Sequence, residues 1–95
     1  MRILGTGSAL PAFTLTNDRL SQFLDTSDEW ICTHTGIRSR QIITEETLLD
    51  LAGRAADTAL KDAGVTAGQI DYILCSTVQA DTVTPSIGCV LQARL

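Results

Sequence analysis

A chain of 95 residues, 44% hydrophobic and 19% charged, is the size of one small domain and leaves no surplus for a second. Its formal charge of -4 excludes a protein that holds nucleic acid through a broad basic field, so an anionic ligand would need a local basic patch. No run approaches the roughly 18 apolar residues of a membrane helix, no signal-peptide core precedes the first glycines, and Cys32, Cys75 and Cys89 are too few and too scattered for a disulfide framework; the expected setting is the cytoplasm, with reduced thiols.

Residues 2–10 combine Ile3-Leu4 with Gly5, Gly7 and Ser8 and stop at Pro11, which predicts a first strand lying close against its neighbours. Asn17 is placed to cap a short helix over 18–24. Thr26-Ser27-Asp28-Glu29 has the form of a capping box, in which the Thr26 hydroxyl and the Glu29 carboxylate bond each other's backbone amides. A short helix carrying Trp30 and Ile31 should follow and end near Gly36. Residues 37–43 then read as a strand in which basic and apolar residues alternate.

From Thr44 the period lengthens. Leu48, Ala52, Ala55, Ala59 and Ala63 form a small-residue stripe down one helix face, with Gly64 as the stop and Asp50/Arg54 and Asp57/Lys61 as acid-first pairs on the solvated side. Ile70 to Val78 is apolar on both alternating faces, as in a parallel strand covered above and below. Strand, helix and strand over 37–78 therefore predict a right-handed βαβ crossover with parallel strands. Thr84 and Pro85 should open a last helix with Ile87, Val90, Leu91 and Leu95 on one face. The chain stops inside that helix without a cap, which is expected of an incomplete domain.

The candidate chemical motifs each have a plainer reading. Gly5-Thr6-Gly7 lacks the third glycine of a dinucleotide loop, since Leu10 stands there, and close strand packing is the better account. Cys89 stands near a helix start, where a dipole can activate a thiol, but its apolar neighbours favour a small buried hydrophobe. His34 beside Cys32 has no second pair to complete a metal site, so no metal is expected. Trp30 is either a core anchor or a flat surface for stacking a ring, and its position alone favours the core. Arg38 and Arg40 share a strand face and could clamp a phosphate, although solvation of an edge strand is the commoner role.

The run Asp25-Thr26-Ser27-Asp28-Glu29-Trp30-Ile31, then Thr33, Thr35-Gly36-Ile37-Arg38 and Arg40, resembles the D-T-S-D-E-W-I-x-T-R-T-G-I-x-x-R segment of β-ketoacyl-[acyl carrier protein] synthase III. Residues 3–11 resemble the family's opening I-x-G-T-G-x-x-L-P, and Thr84-Pro85-Ser86 with Cys89-Val90-Leu91-Gln92 resembles its helix ahead of the active site. The likeness spans essentially all 95 residues.

It implies an α/β fold, the first part of the N-terminal half of a thiolase-like fold. Residues 1–95 would be a partial domain lacking the regions of the catalytic Cys, His and Asn. In the family these three residues condense acetyl-CoA, or another acyl-CoA, with malonyl-[acyl carrier protein] to begin fatty-acid synthesis: the cysteine takes the acyl group, and the His and Asn stabilise the developing oxyanion. No catalytic residue is therefore expected here, and the chain alone should be an inactive piece of an acyltransferase.

The same resemblance assigns this segment part of the CoA site: Trp30 stacking on the adenine, Thr26 at the nucleotide end, and His34 and Arg38 beside them. His34 departs from the pattern, which has arginine there, and a neutral imidazole grips phosphate less firmly than a fixed guanidinium. CoA enters as a substrate, so no cofactor is implied. The implied partners are acyl-CoA and acyl carrier protein, not nucleic acid or membrane, and the full-length protein would be a homodimer. A polyketide-, quinolone- or ketone-forming relative and a non-catalytic CoA-binding or interaction module are the alternatives.

Overall fold

The computed structural model describes residues 1–95, which divide into two compact units: residues 10–45, and residues 1–9 together with 46–95. In the first, strand β1 (Phe13–Thr16) pairs antiparallel with strand β2 (Ser39–Ile42), Phe13 opposite Ile42 and Thr16 opposite Ser39. Helices α1 (Asn17–Leu20) and α2 (Asp28–Thr35) fill the connection.

The helix starts fall one residue from the expected caps. Thr16, not Asn17, caps α1, its hydroxyl accepting the Arg19 amide at 3.3 Å, because the Asn17 side chain is turned inward and is only 1% exposed. The helix also ends at Leu20 rather than near 24. Ser27, not Thr26, caps α2 by accepting from the Trp30 amide at 3.1 Å. The Thr26 hydroxyl is shut away from water without a hydrogen-bond partner. Gly36 ends α2 as expected: its φ of 72° is the left-handed conformation that glycine enters without steric cost, and its amide reaches the Cys32 carbonyl at 2.8 Å. Ile31 is the buried apolar residue of this unit.

In the second unit, helix α3 (Leu48–Ala63) is bounded by a capping box between Thr47 and Asp50 and by left-handed Gly64. A short 3₁₀ turn at Ala67–Gln69 and helix α4 (Ile87–Arg94) follow, and α4 packs on α3 with Leu91 buried. The alanine stripe does what its small size suggests. A methyl group on Gly5 would come within 2.5 Å of the Ala63 nitrogen, and one on Gly7 would run into the backbone of Ala55 and Ala59, so the N-terminal segment lies directly on the backbone of α3.

The expected βαβ pairing is not formed. The strand predicted at 37–43 pairs instead with Phe13–Thr16, and neither residues 2–10 nor 70–78 join a hydrogen-bonded sheet. A ladder needs a partner strand, and these segments have other neighbours: the Thr6 amide donates to the Asp62 carboxylate at 2.9 Å, while Tyr72, Leu74 and Val78 stay exposed. The surface pairs on α3 also differ from expectation. Both Thr47 groups hold Asp50 at the cap, and Asp57 lies 3.9 Å from Arg94 of α4. Ser86, not Thr84, caps α4, so Pro85 stands before the helix rather than in its first turn.

Candidate functional site

The motif-bearing residues cluster at α2 and the start of β2. Asn17, brought inward where β1 passes into α1, donates its amide to the Asp28 carboxylate at 2.8 Å and to the Ile37 carbonyl at 2.6 Å. Its amide oxygen accepts from the Arg40 guanidinium. Asp28 also receives the Cys32 thiol at 3.3 Å and lies 3.8 Å from Arg38. One buried amide therefore ties the ends of α1, α2 and β2 together.

These contacts set the local acidities. The hydrogen bonds from Asn17 and then Cys32, with Arg38 adding to them, hold the Asp28 carboxyl below its ordinary value. Desolvation, followed by the bond to Asp28, pushes the Cys32 thiol above its ordinary value, opposite to the shift of an activated nucleophile. Cys89 interacts with Ser86, whose hydroxyl donates to its sulfur at 3.3 Å. Both Cys75 and Cys89 are exposed, so the buried-hydrophobe reading of Cys89 does not hold in this chain, whose α4 turns that face to solvent.

Trp30 is 57% exposed rather than a core anchor, because its helix turns Ile31 inward instead. The His34 ring stacks on it, centroids 4.1 Å apart and planes 20° from parallel, and His34 Nδ1 meets the Trp30 carbonyl oxygen at 2.7 Å. Trp30, Thr26, Leu20, Leu24, Ile31 and Arg40 line one open cavity of about 810 Å³, a size suited to a small organic ligand. Trp30 and Thr26 thus share a wall, and His34 covers one face of the indole. Arg38 is engaged with Asp28 yet largely exposed. Arg40 is not a solvating edge residue, since it reaches inward to Asn17 and its Nε is buried without a partner.

Asn17 is the residue holding the site together that the sequence did not reveal. Its signal was faint: an amide at a strand-to-helix junction reads as a cap, and only the distant Arg40 and Asp28 reveal its other role.

No family model matches the chain. A β-ketoacyl-[acyl-carrier-protein] synthase III from Xanthomonas axonopodis pv. citri is 53% identical over 95 residues, which is 99% of this chain but 29% of the relative. The crystal structure of a 3-oxoacyl-[acyl-carrier-protein] synthase III from Aquifex aeolicus superposes with a TM-score of 0.95 at 43% identity, covering 98% of this chain and 30% of that one. Over essentially its whole length the chain is similar to the N-terminal part of β-ketoacyl-[acyl-carrier-protein] synthase III enzymes. The priming β-ketosynthase of the R1128 polyketide pathway is also similar, with a TM-score of 0.93 and 35% identity over 98% of this chain and 28% of that one. The synthase III likeness extends over both units and fixes the fold class as α/β and thiolase-like. The chain spans about 29% of the length of the curated relatives it matches. No helix is long and apolar enough to cross a membrane.

Proposed function

We propose that these residues belong to a cytoplasmic condensing enzyme that joins acetyl-CoA, or another acyl-CoA, to malonyl-[acyl carrier protein] in a decarboxylating acyl transfer that initiates fatty-acid synthesis. The observation that carries this reading is the 53% identity to a synthase III sustained along the whole chain. In this reading residues 1–95 are a partial thiolase-like N-terminal domain, the acylated cysteine and the His and Asn donors lie outside them, and the full protein is a homodimer that meets acyl-CoA and acyl carrier protein. The local chemistry agrees with a binding role: His34 Nδ1 is taken up by a backbone carbonyl, and the Cys32 thiol is held in its protonated form.

Within this segment Trp30 serves as the platform for the adenine, Thr26 contacts the nucleotide end, and His34 and Arg38 face its phosphates. What supports this is a half-exposed indole that lines, with Thr26, a cavity of ligand size. The likeness to a polyketide priming synthase favours a second reading, in which the same CoA site feeds a polyketide starter.

The test is release of labelled carbon dioxide from malonyl-[acyl carrier protein] with acetyl-CoA. A protein extended to the natural end of its reading frame should be active and the 95-residue chain silent, since losing even one oxyanion-hole donor typically costs about 100- to 1000-fold. An inactive extended protein that contains the expected triad would instead support a non-catalytic CoA-binding module.

A further inference from the structure

Helix chemistry alone does not explain Gly53. It stands inside α3, where glycine weakens a helix relative to alanine, and it has neither a positive φ nor a capping position to require it. It is nevertheless the buried residue of α3. Its cover is the Arg94 side chain of α4, whose guanidinium fills the space that a methyl group on Gly53 would take.

Charge agrees with shape. Asp50, Gly53 and Asp57 follow one another at spacings of three and four, which puts them on one face of the helix. The Asp57 carboxylate lies 3.9 Å from Arg94 Nη1. On the other side, the two bonds from Thr47, and after them the Arg94 charge, hold the Asp50 carboxyl below its ordinary value. The guanidinium thus rests on bare backbone with an acid one turn away in each direction.

We infer that α3 carries a guanidinium-binding notch, floored by Gly53 and flanked by Asp50 and Asp57, and that Arg94 fills it as a built-in ligand that latches the end of α4. The notch chooses its cation by shape as well as charge. A planar, weakly hydrated guanidinium can lie face-down on helix backbone, whereas a compact ammonium keeps its water and gains little from a flat floor. The contact also accounts for the glycine, since its cost to the helix is offset by the group it admits. Leu91, one turn before Arg94, is buried as well, so apolar packing and the latch hold the same side of α4. With its ion pair long and both partners part-exposed, the latch can open and leave the notch to a free guanidinium compound.

The 95-residue chain serves for the experiment, which has two arms. In the first, urea unfolding followed by circular dichroism compares Gly53→Ala in the wild-type and Arg94→Ala backgrounds. The added methyl should lower the midpoint in the wild type, where it evicts the guanidinium, and raise it in Arg94→Ala, where only its better helix propensity is left. In the second arm, Arg94→Ala and Arg94→Lys are each titrated with millimolar methylguanidinium chloride, well below denaturing concentrations, and followed by proton–nitrogen NMR. Saturable shifts of the Gly53 and Asp57 amides should appear in both. They should be absent from the wild type, whose notch is filled, from the Arg94→Ala/Gly53→Ala double variant, whose notch is blocked, and from a parallel titration with methylammonium chloride. A Gly53→Ala effect of the same sign and size in both backgrounds would overturn the inference. So would the lack of saturable shifts in both single variants, or shifts that methylammonium reproduces.

Discussion

Three groups converge on Asn17, and each would be costly to leave unpaired: a carboxylate, a backbone carbonyl and a guanidinium. Asn17→Leu keeps the branched outline, with somewhat greater bulk, but removes every bond. It should destabilise residues 10–45 by at least about 2 kcal/mol, seen as a lower urea midpoint of Trp30 fluorescence with an unchanged slope. Asp28 brings a pH dependence whose sign follows from its lowered pKa. Its contribution is complete above the ordinary value of 3.8 and is lost as the pH falls through the lower folded value, so an Asp28→Asn chain should show a shallower loss of stability on acidification. Cys32 responds to the same carboxylate. Brief iodoacetamide treatment at neutral pH followed by mass spectrometry should label the exposed Cys75 and Cys89 well before Cys32, and Asp28→Asn should narrow that gap; rapid single-site labelling of Cys32 would contradict its raised thiol pKa.

At the scale of elements, α3 tests how small side chains hold a segment. Gly7→Val would force a branched side chain into the backbone of Ala55 and Ala59. Thermal unfolding followed by circular dichroism should show a loss of about 1–3 kcal/mol or more, against about 1 kcal/mol for Thr47→Ala, which only removes a cap. This helix was legible in the sequence because its information is local, an apolar stripe of period 3.6 and a glycine at the end, whereas the Thr47–Asp50 capping box at its start was passed over for a pairing of Asp50 with Arg54. Strand pairing was not legible, because the partner of a strand is far along the chain. The apolar faces of Ile70 to Val78 say that something covers this segment without saying what, and Phe13–Thr16, too short to show a period, is the partner that β2 takes. The caps erred by one residue for a similar reason: Thr16 or Asn17, and Thr26 or Ser27, are equally good cap chemistry, and tertiary contacts choose between them.

For the whole chain, the composition left little doubt about class, whereas the site needed the long motif around Trp30. Of Trp30, Thr26, His34 and Arg38, the fold places Trp30 and Thr26 at one cavity wall, but the stacking of His34 on Trp30 and the inward reach of Arg40 depend on side-chain packing that no spacing encodes. The surface is the other property of the whole. Tyr72, Leu74, Val78 and Val83 are each at least 78% exposed, which is far more apolar exposure than a small monomer usually tolerates. The isolated chain should bind a hydrophobic dye and sediment as more than its 10.2 kDa monomer, and Leu74→Lys should reduce both effects; a clean monomer that ignores the dye would show that these side chains find cover in solution.

The unpaired backbone of residues 70–78 also has a consequence in time. In a full-length relative, the portion matching this chain leaves the ribosome with about seven-tenths of the protein still to be made, which at about 5–20 residues per second takes roughly ten seconds to a minute. An apolar segment that joins no sheet within the matching portion is open to pairing with another chain during that interval. Translation speed just downstream of this segment, and the holdase chaperones that reach it there, therefore bear on the yield of native enzyme as directly as any residue in its core.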